Sequence, residues 1–330
     1  MACPKAASQA SPVLAFFLGA ALALGGCARP PAVSMLEGAQ AVEGSVSAFQ
    51  VRPLPAAQGA TLLALERAPR VPPLRYRVIV VPGSGCAGLG AWADRYFAGL
   101  QHAQVLVLHK RGVQPSARTA PGDCPAWFVQ SDALSAWQAD AQVAVRAWQA
   151  ALPGGDVLPT VLVGISEGAE LLPGLAPEVP RLSGLVLLSA SGLDPHEAAA
   201  LQARRLGALA EWDALGRLQA SLAPNSTVAQ GRSLRYWRDV WQWRLAEPLR
   251  DGPWPLLQVW GEADALVPQE AYQAFARRAQ ARRAPYCHRS LPGADHGLQT
   301  ATRDGVQQVW AWLEQWARQP ALGWCAPLLR

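Results

Sequence analysis

Lysine is almost missing from this chain: Lys5 and Lys110 are its two examples, and arginine carries the positive charge. The formal net charge is +5, yet no five or six basic residues stand in a block. A nucleic-acid partner needs a concentrated basic face, so that class is set aside. No two cysteines have C-x-x-C spacing and no two histidines stand at ligand spacing, so no metal is expected. No Gly-Lys-Ser/Thr follows the glycine-rich stretch at 82–86, which removes the phosphate-cradle reading and leaves no cofactor expected. No segment recurs at a fixed period, which excludes a solenoid or a propeller.

Long apolar runs are also scarce. Val13 to Leu24 is about a dozen residues, too short to cross a bilayer and right for the core of a signal peptide. Lys5 is the sole charge before residue 27, and the run ends in Leu24-Gly25-Gly26-Cys27. Small residues before a cysteine resemble the lipobox of bacterial lipoproteins, in which the cysteine is acylated and becomes the mature N-terminus. Residues 1–26 are therefore read as a lipoprotein signal peptide and Cys27 as the lipidation site. Residues 27–44, rich in Ala, Pro, Gly and Ser, form the lipidated Cys and a flexible tether. Ala28 stands where aspartate would signal inner-membrane retention, so the resemblance implies the outer membrane. The chain is expected on the periplasmic face of the cell envelope, held to the membrane by its lipid; plain secretion is the alternative.

Residues 45–330 are enough for one large single-core domain. Val46 to Arg52 and Thr61 to Glu66 read as leading antiparallel strands. Arg75 to Val81, Gln104 to Leu108, Thr160 to Val163, Leu185 to Leu188, Leu256 to Trp260 and Cys287 to Leu291 read as further strands. Helices are expected around Leu89 to Leu100 and over 132–152. In the latter, Leu134, Trp137, Ala141, Val145, Trp148 and Leu152 fall three or four apart, with Ser131 and Asp132 as capping candidates. A closing helix carries Val306, Val309, Trp310, Leu313 and Trp316 on one face. Short apolar runs separated by amphipathic helices mean an α/β protein, a mostly parallel central sheet flanked by helices. About 55 residues near 194–250 break the alternation with an Ala/Leu/Arg helix from Leu201 to Leu218 and a stretch dense in Tyr236, Trp237, Trp241 and Trp243. These tryptophans either line a substrate or fix the insertion to the core.

Between the strand Val161-Leu162-Val163 and an Ala/Leu-rich stretch lies Gly164-Ile165-Ser166-Glu167-Gly168, a G-x-S-x-G. A serine on so sharp a strand-to-helix turn presents its Oγ at the end of a sheet, and the flanking Gly164 and Gly168 let chains approach. Asp264 follows in Gly261-Glu262-Ala263-Asp264-Ala265-Leu266-Val267-Pro268, then His296 in Pro292-Gly293-Ala294-Asp295-His296-Gly297. Serine, acid, histidine is the chain order of the α/β-hydrolases, which residues 74–317 resemble, close to cap-bearing esterase-like and proline-aminopeptidase-like members. His109-Lys110-Arg111-Gly112-Val113 is similar to their Asp-x-Arg-Gly-x-Gly segment, without its acid and second glycine. The resemblance implies a helical cap at about 194–250 and a serine hydrolase cleaving carboxylic esters through an acyl-enzyme.

In that chemistry Ser166 attacks, His296 takes and returns the proton, and Asp264 orients the imidazole. Glu262 and Asp194 compete with Asp264, and Asp295 points the wrong way for that role. The oxyanion needs two backbone donors: Glu167, after the nucleophile, and one from Pro82-Gly83-Ser84-Gly85-Cys86, with Ser84 first and Gly85 second. A peptidase or aminopeptidase would need a cap carboxylate for the substrate amine, from Glu197, Glu211 or Asp213. A non-catalytic envelope protein retaining the fold is the reading from another class. The expected partner is a small-molecule acyl substrate. Cys86, Cys124, Cys287 and Cys325 allow three connectivities in an oxidising compartment. Cys86–Cys124 and Cys287–Cys325 are expected, the first tying the oxyanion loop to the irregular segment 114–128 and the second fastening the C-terminal tail.

Replacing Cys27 tests the anchor. Cys27→Ser should abolish palmitate incorporation and leave an unprocessed or soluble form; an unlabelled wild-type protein with a mature terminus other than residue 27 would replace lipidation by plain export.

Overall fold

A computed structural model describes residues 47–153 and 157–328. The expected signal peptide, Cys27 and the tether lie outside them. Eight strands form the central sheet: β1 (Gln50–Pro55), β2 (Thr61–Arg67), β3 (Tyr76–Val81), β4 (Ala103–Leu108), β5 (Thr160–Ile165), β6 (Leu182–Leu188), β9 (Leu256–Gly261) and β10 (Tyr286–Leu291). A two-stranded ribbon, β7 (Val228–Ala229) with β8 (Arg232–Ser233), lies outside it. The sheet order is β1-β2-β4-β3-β5-β6-β9-β10; β1 and β2 are antiparallel, as is β2 to β4, and the rest run parallel.

Both faces are covered, which is why the central strands are mostly apolar, with Arg77 in β3 and Gln258 in β9 as buried exceptions. Along β5, Leu162 points into one core with Trp137, Val145 and Leu187, while Val161 and Val163 point into the other with Phe97, Val306 and Trp310. The helices Leu134–Ala150 and Gln269–Ala279 cover the first face, and Gly305–Arg318 the second. The strand order brings the C-terminal ends of β3, β5, β6, β9 and β10 to one edge, the place where open parallel sheets carry their sites.

Several local expectations change. The helix expected at 89–100 is only Ala93–Tyr96. Gly88 and Gly90 donate to the carbonyls of Ala117 and Pro115, and a side chain on either would strike the Pro115 backbone. Pairing between these two loops takes the residues that a longer helix would need. Ser131 and Asp132 do not cap the next helix: Ala133 occupies that position without a side-chain bond, and Asp239 of the insertion accepts from the Ser135 amide at 2.8 Å. Asp132 is used elsewhere, as shown below. The segment expected irregular at 114–128 contributes the start of a short helix, Ala126–Ser131.

The insertion holds four helices: Pro195–Arg205, Leu209–Ala220, Leu234–Gln242 and Ala246–Asp251. The single helix expected from Leu201 to Leu218 is broken at Gly207, whose φ of 68° fits a glycine stop. Asp194, at the entrance, accepts from the amides of Leu245 and Ala246 at 2.8 and 2.9 Å near the exit, which closes the insertion at its base. Its tryptophans pack: Trp212 stacks on Trp241 at 4.3 Å, and Trp237 is fully buried edge-on to both.

Backbones meet closely beside β3 and β5. A Cβ on Gly168 would lie 2.1 Å from the Val81 carbonyl oxygen and 2.4 Å from that of Pro82. Backbone cannot retreat as a side chain can, so Gly168→Ala should cost about 3 kcal/mol. Gly122→Ala, with nothing within 4 Å, should stay within about 0.5 kcal/mol of wild type. Urea unfolding of both variants checks the contrast.

Candidate active site

Ser166 stands where β5 ends, with φ of 50° in the left-handed region. Holding a non-glycine residue there costs about 1–3 kcal/mol and persists only where the surroundings enforce it. Gly164 and Gly168 supply that enforcement. A Cβ on Gly164 would sit 2.3 Å from the Ala169 Cα, so the turn closes directly onto the strand. On the opposite side, Gly83 approaches so near that its Cβ would lie 3.4 Å from that of Ser166.

His296 places Nε2 3.1 Å from the Ser166 Oγ and Nδ1 2.8 Å from the Asp264 Oδ2. The carboxylate fixes the tautomer: burial would raise Asp264, but hydrogen bonds from His296, Tyr272 and the Val267 amide hold its carboxyl below the usual value. An ionised carboxylate only accepts, so Nδ1 carries the proton and Nε2 is left to accept from the serine hydroxyl. Asp264 is saturated. Its Oδ1 accepts from the amides of Leu266 (2.7 Å) and Val267 (2.9 Å), and its Oδ2 also accepts from the Tyr272 hydroxyl at 2.7 Å.

Other parts of this support were not foreseen from the sequence. Tyr272 stacks on Trp260 at 5.0 Å, and burial beside Asp264 pushes its hydroxyl well above the usual value, so it remains a donor. Gly261 has no room for a Cβ, which would meet the Ala294 and Asp295 carbonyl oxygens at 2.1 and 2.3 Å; the acid and histidine loops therefore touch through backbone. Ser189, itself at φ 54°, donates to the His296 carbonyl at 2.5 Å.

The competing groups are occupied elsewhere. Asp194 closes the insertion, Glu262 accepts from Ser290, and Asp295 accepts from the amides of Gly297 and Gln299. His102 meets Glu314 at 2.7 Å, and His288 stacks on Trp260. His109 accepts from the Leu89 amide, and burial lowers its imidazole to about 4, so it is neutral at pH 7.

Glu167 turns its side chain into a buried ionic cluster. Lys110 donates to Glu167 at 2.5 Å and to Asp132 at 2.8 Å; Arg232 pairs with Asp132 and reaches Glu167 at 3.9 Å; the Tyr236 hydroxyl donates to Glu167 at 2.5 Å. Burial alone would raise the Glu167 carboxyl, but Lys110 and Arg232 hold it below the usual value. The cluster joins the Ser166 turn, the β4 end and the insertion. Nothing in the spacing of these residues pointed to it, beyond Lys110 being one of two lysines in an arginine-rich chain.

Ser166 and His296 open onto a cavity of about 370 Å³, walled by Gly83, Ser84, Leu134, Tyr236, Val240 and Leu298 among others. That is the size of a small-ligand pocket. Gly83 and Ser84 lie in the wall; Gly85, at φ 95°, is not among the lining residues. Gly83, Gly85 and Gly88 do have G-x-G-x-x-G spacing, against the expectation that the loop lacks it; here Gly83 serves the approach to Ser166 and Gly88 the approach to Pro115. Tyr236 and Val240 come from the insertion; its tryptophans do not line the cavity.

Both expected disulfides are formed, Cys86–Cys124 with Cα atoms 5.7 Å apart and Cys287–Cys325 at 5.4 Å. The first fixes the glycine-rich loop into a small core with Val113 and Phe128. The second holds the tail, where Arg289 also donates to the carbonyls of Cys325 and Ala326.

Asp264→Asn keeps the shape but removes the reason for the tautomer. Loss of about 10⁴ in kcat is expected, with KM little changed. Steady-state kinetics with far-ultraviolet circular dichroism as a folding control measures it; a loss under tenfold would detach Asp264 from the relay.

No protein-family model matches this chain, and no curated protein matches it. Solved structures do. The esterase domain of a Rhodothermus marinus protein superimposes with a TM-score of 0.53 at 20% identity, covering 82% of this chain and 98% of that one. Est1E from Butyrivibrio proteoclasticus with ferulic acid bound gives 0.56 at 17%, covering 82% and 99%. A puromycin-hydrolyzing peptidase of Mycobacterium tuberculosis gives 0.54 at 15%, covering 83% of this chain and 40% of that one. With its mostly parallel eight-stranded sheet, helices on both faces and a helical insertion after β6, this chain has the α/β-hydrolase fold.

Proposed function

We propose that this protein is a serine acyl hydrolase that cleaves carboxylic esters. The observation that carries the reading is the continuous relay Ser166–His296–Asp264, with bonds of 3.1 and 2.8 Å, at the mouth of a mainly apolar cavity. His296 takes the hydroxyl proton as Ser166 attacks the carbonyl carbon, the ester C–O bond breaks, and the imidazolium returns the proton to the leaving alkoxide. Water then repeats the sequence on the acyl-enzyme. Asp264 stabilises the imidazolium in both halves. The amide of Glu167 and that of Ser84, in the cavity wall, are the proposed oxyanion donors.

The aminopeptidase reading through a cap carboxylate has less support. Glu197 is paired with Arg278 at 2.8 Å, while Glu211 and Asp213 are exposed and do not line the cavity. The two disulfides are in keeping with export to an oxidising compartment, and we extend the proposal to a lipid-anchored enzyme on the periplasmic side of the envelope, outer membrane favoured.

Ser166→Ala should fold normally and lose about a million-fold in kcat. Hydrolysis of p-nitrophenyl acyl esters and covalent labelling by a fluorophosphonate should both vanish in the variant. Retention of a tenth of wild-type turnover, or an unlabelled wild-type protein, would overturn the reading.

A further inference from the structure

Two carboxyl groups stand in the cavity wall, Glu167 and Glu170. They belong to the 3-10 turn Ser166–Leu171, in which residues three apart lie one above the other. Glu167 is consumed by Lys110, Arg232 and Tyr236. Glu170 is not. Its Oε2 is shielded from solvent and has no hydrogen-bond partner among the described residues. Its backbone is nevertheless held in place, because the indole of Trp243 donates to the Glu170 carbonyl at 3.0 Å.

A carboxyl oxygen shut off from water without a partner is costly unless something else compensates it. The surroundings restrict what that can be. Lys110 and Arg232, the neighbouring cations, are already committed to Asp132 and Glu167. The groups acting on Glu170 are acidic: burial, then the charges of Glu167 and Asp194, push its carboxyl well above the usual value. An anionic ligand would meet that negative field, and among the described residues no lysine or arginine lines the cavity to receive it. Glu170 is half-buried and lines the cavity, so a cation there meets a carboxyl whose shielded oxygen has no competing partner, in a field that favours positive charge.

We propose that Glu170 is the amine subsite of this cavity, a specificity-determining residue for acyl substrates that carry a basic amine. Glu170 lies four residues beyond Ser166, a backbone rise of roughly 8 Å at about 2 Å per residue, and both residues line the cavity, so one substrate can span from a carbonyl at Ser166 to an amine at Glu170. A free-base amine takes the Glu170 proton to give ammonium and carboxylate; an ammonium entering instead displaces that proton to water, and the same pair results. The inference deepens the acyl-hydrolase reading and rests on it.

The test uses 2-naphthyl esters of 6-aminohexanoate and heptanoate, alike in length and different at the terminal group. The wild-type chain should favour the amino ester in kcat/KM by about tenfold or more, the worth of one charge-assisted hydrogen bond. Glu170→Gln should reduce that ratio about tenfold, and Glu170→Asp should recover part of it. On the wild-type enzyme, n-hexylamine should inhibit competitively about tenfold better than 1-hexanol, a measurement that stands even should the variants fail to fold. Equal use of the two esters, a ratio unmoved by Glu170→Gln, or hexylamine no better than hexanol would each overturn the proposal while leaving the hydrolase reading intact. Failure to turn over either ester together with no fluorophosphonate labelling would remove the hydrolase reading and this inference with it.

Discussion

The Glu167 carboxylate, buried between Lys110 and Arg232, is the interaction on which the site depends. Its own residue follows the strained Ser166, its cations come from the end of β4 and from the ribbon strand β8, and its third partner, Tyr236, stands in the cavity wall. Charges taken out of water are expensive, and removing one partner of such a set typically destabilises by about 3–5 kcal/mol, since it strands the others. Apolar packing could hold the insertion to the sheet as firmly, but not with the same direction. Paired hydrogen bonds set the position of the turn that carries Ser166, where for the proposed chemistry a shift of an ångström would matter.

Asp264 shows the same logic with opposite means. It uses no cationic side chain for permanent neutralisation; four donors surround the carboxylate, two of them amides of its own loop. Its depressed carboxyl adds stability above the unfolded-state value near 3.9, and that contribution fades as pH falls through the lower folded value. Acid loss of structure and acid loss of the relay are thus coupled through one side chain.

Much of this was legible in the sequence because it is written in local patterns. The buried strands read as apolar runs since both sheet faces are covered, and Gly-x-Ser-x-Gly, Asp264 and His296 could be ordered along the chain. What escaped was set by distant neighbours. The helix expected at 89–100 lost its first turns to pairing with the loop at 115–117. Asp132, a plausible cap by position, was claimed by Lys110 and Arg232, the latter a hundred residues away. Tyr272 and Ser189 support the relay from elements with no motif of their own. Glu170 escaped for a different reason: the shielding of its Oε2 without a partner is a property of the assembled wall.

The packing of the insertion's tryptophans has a spectroscopic consequence. The chain has fourteen tryptophans, and among the described residues none lines the cavity; Trp212, Trp237 and Trp241 form one aromatic group inside the insertion, and Trp243 donates to the Glu170 carbonyl in the turn that follows Ser166. Intrinsic emission from this group is therefore sensitive to whether the insertion stays seated on the sheet, and nearly blind to whether the cavity is filled.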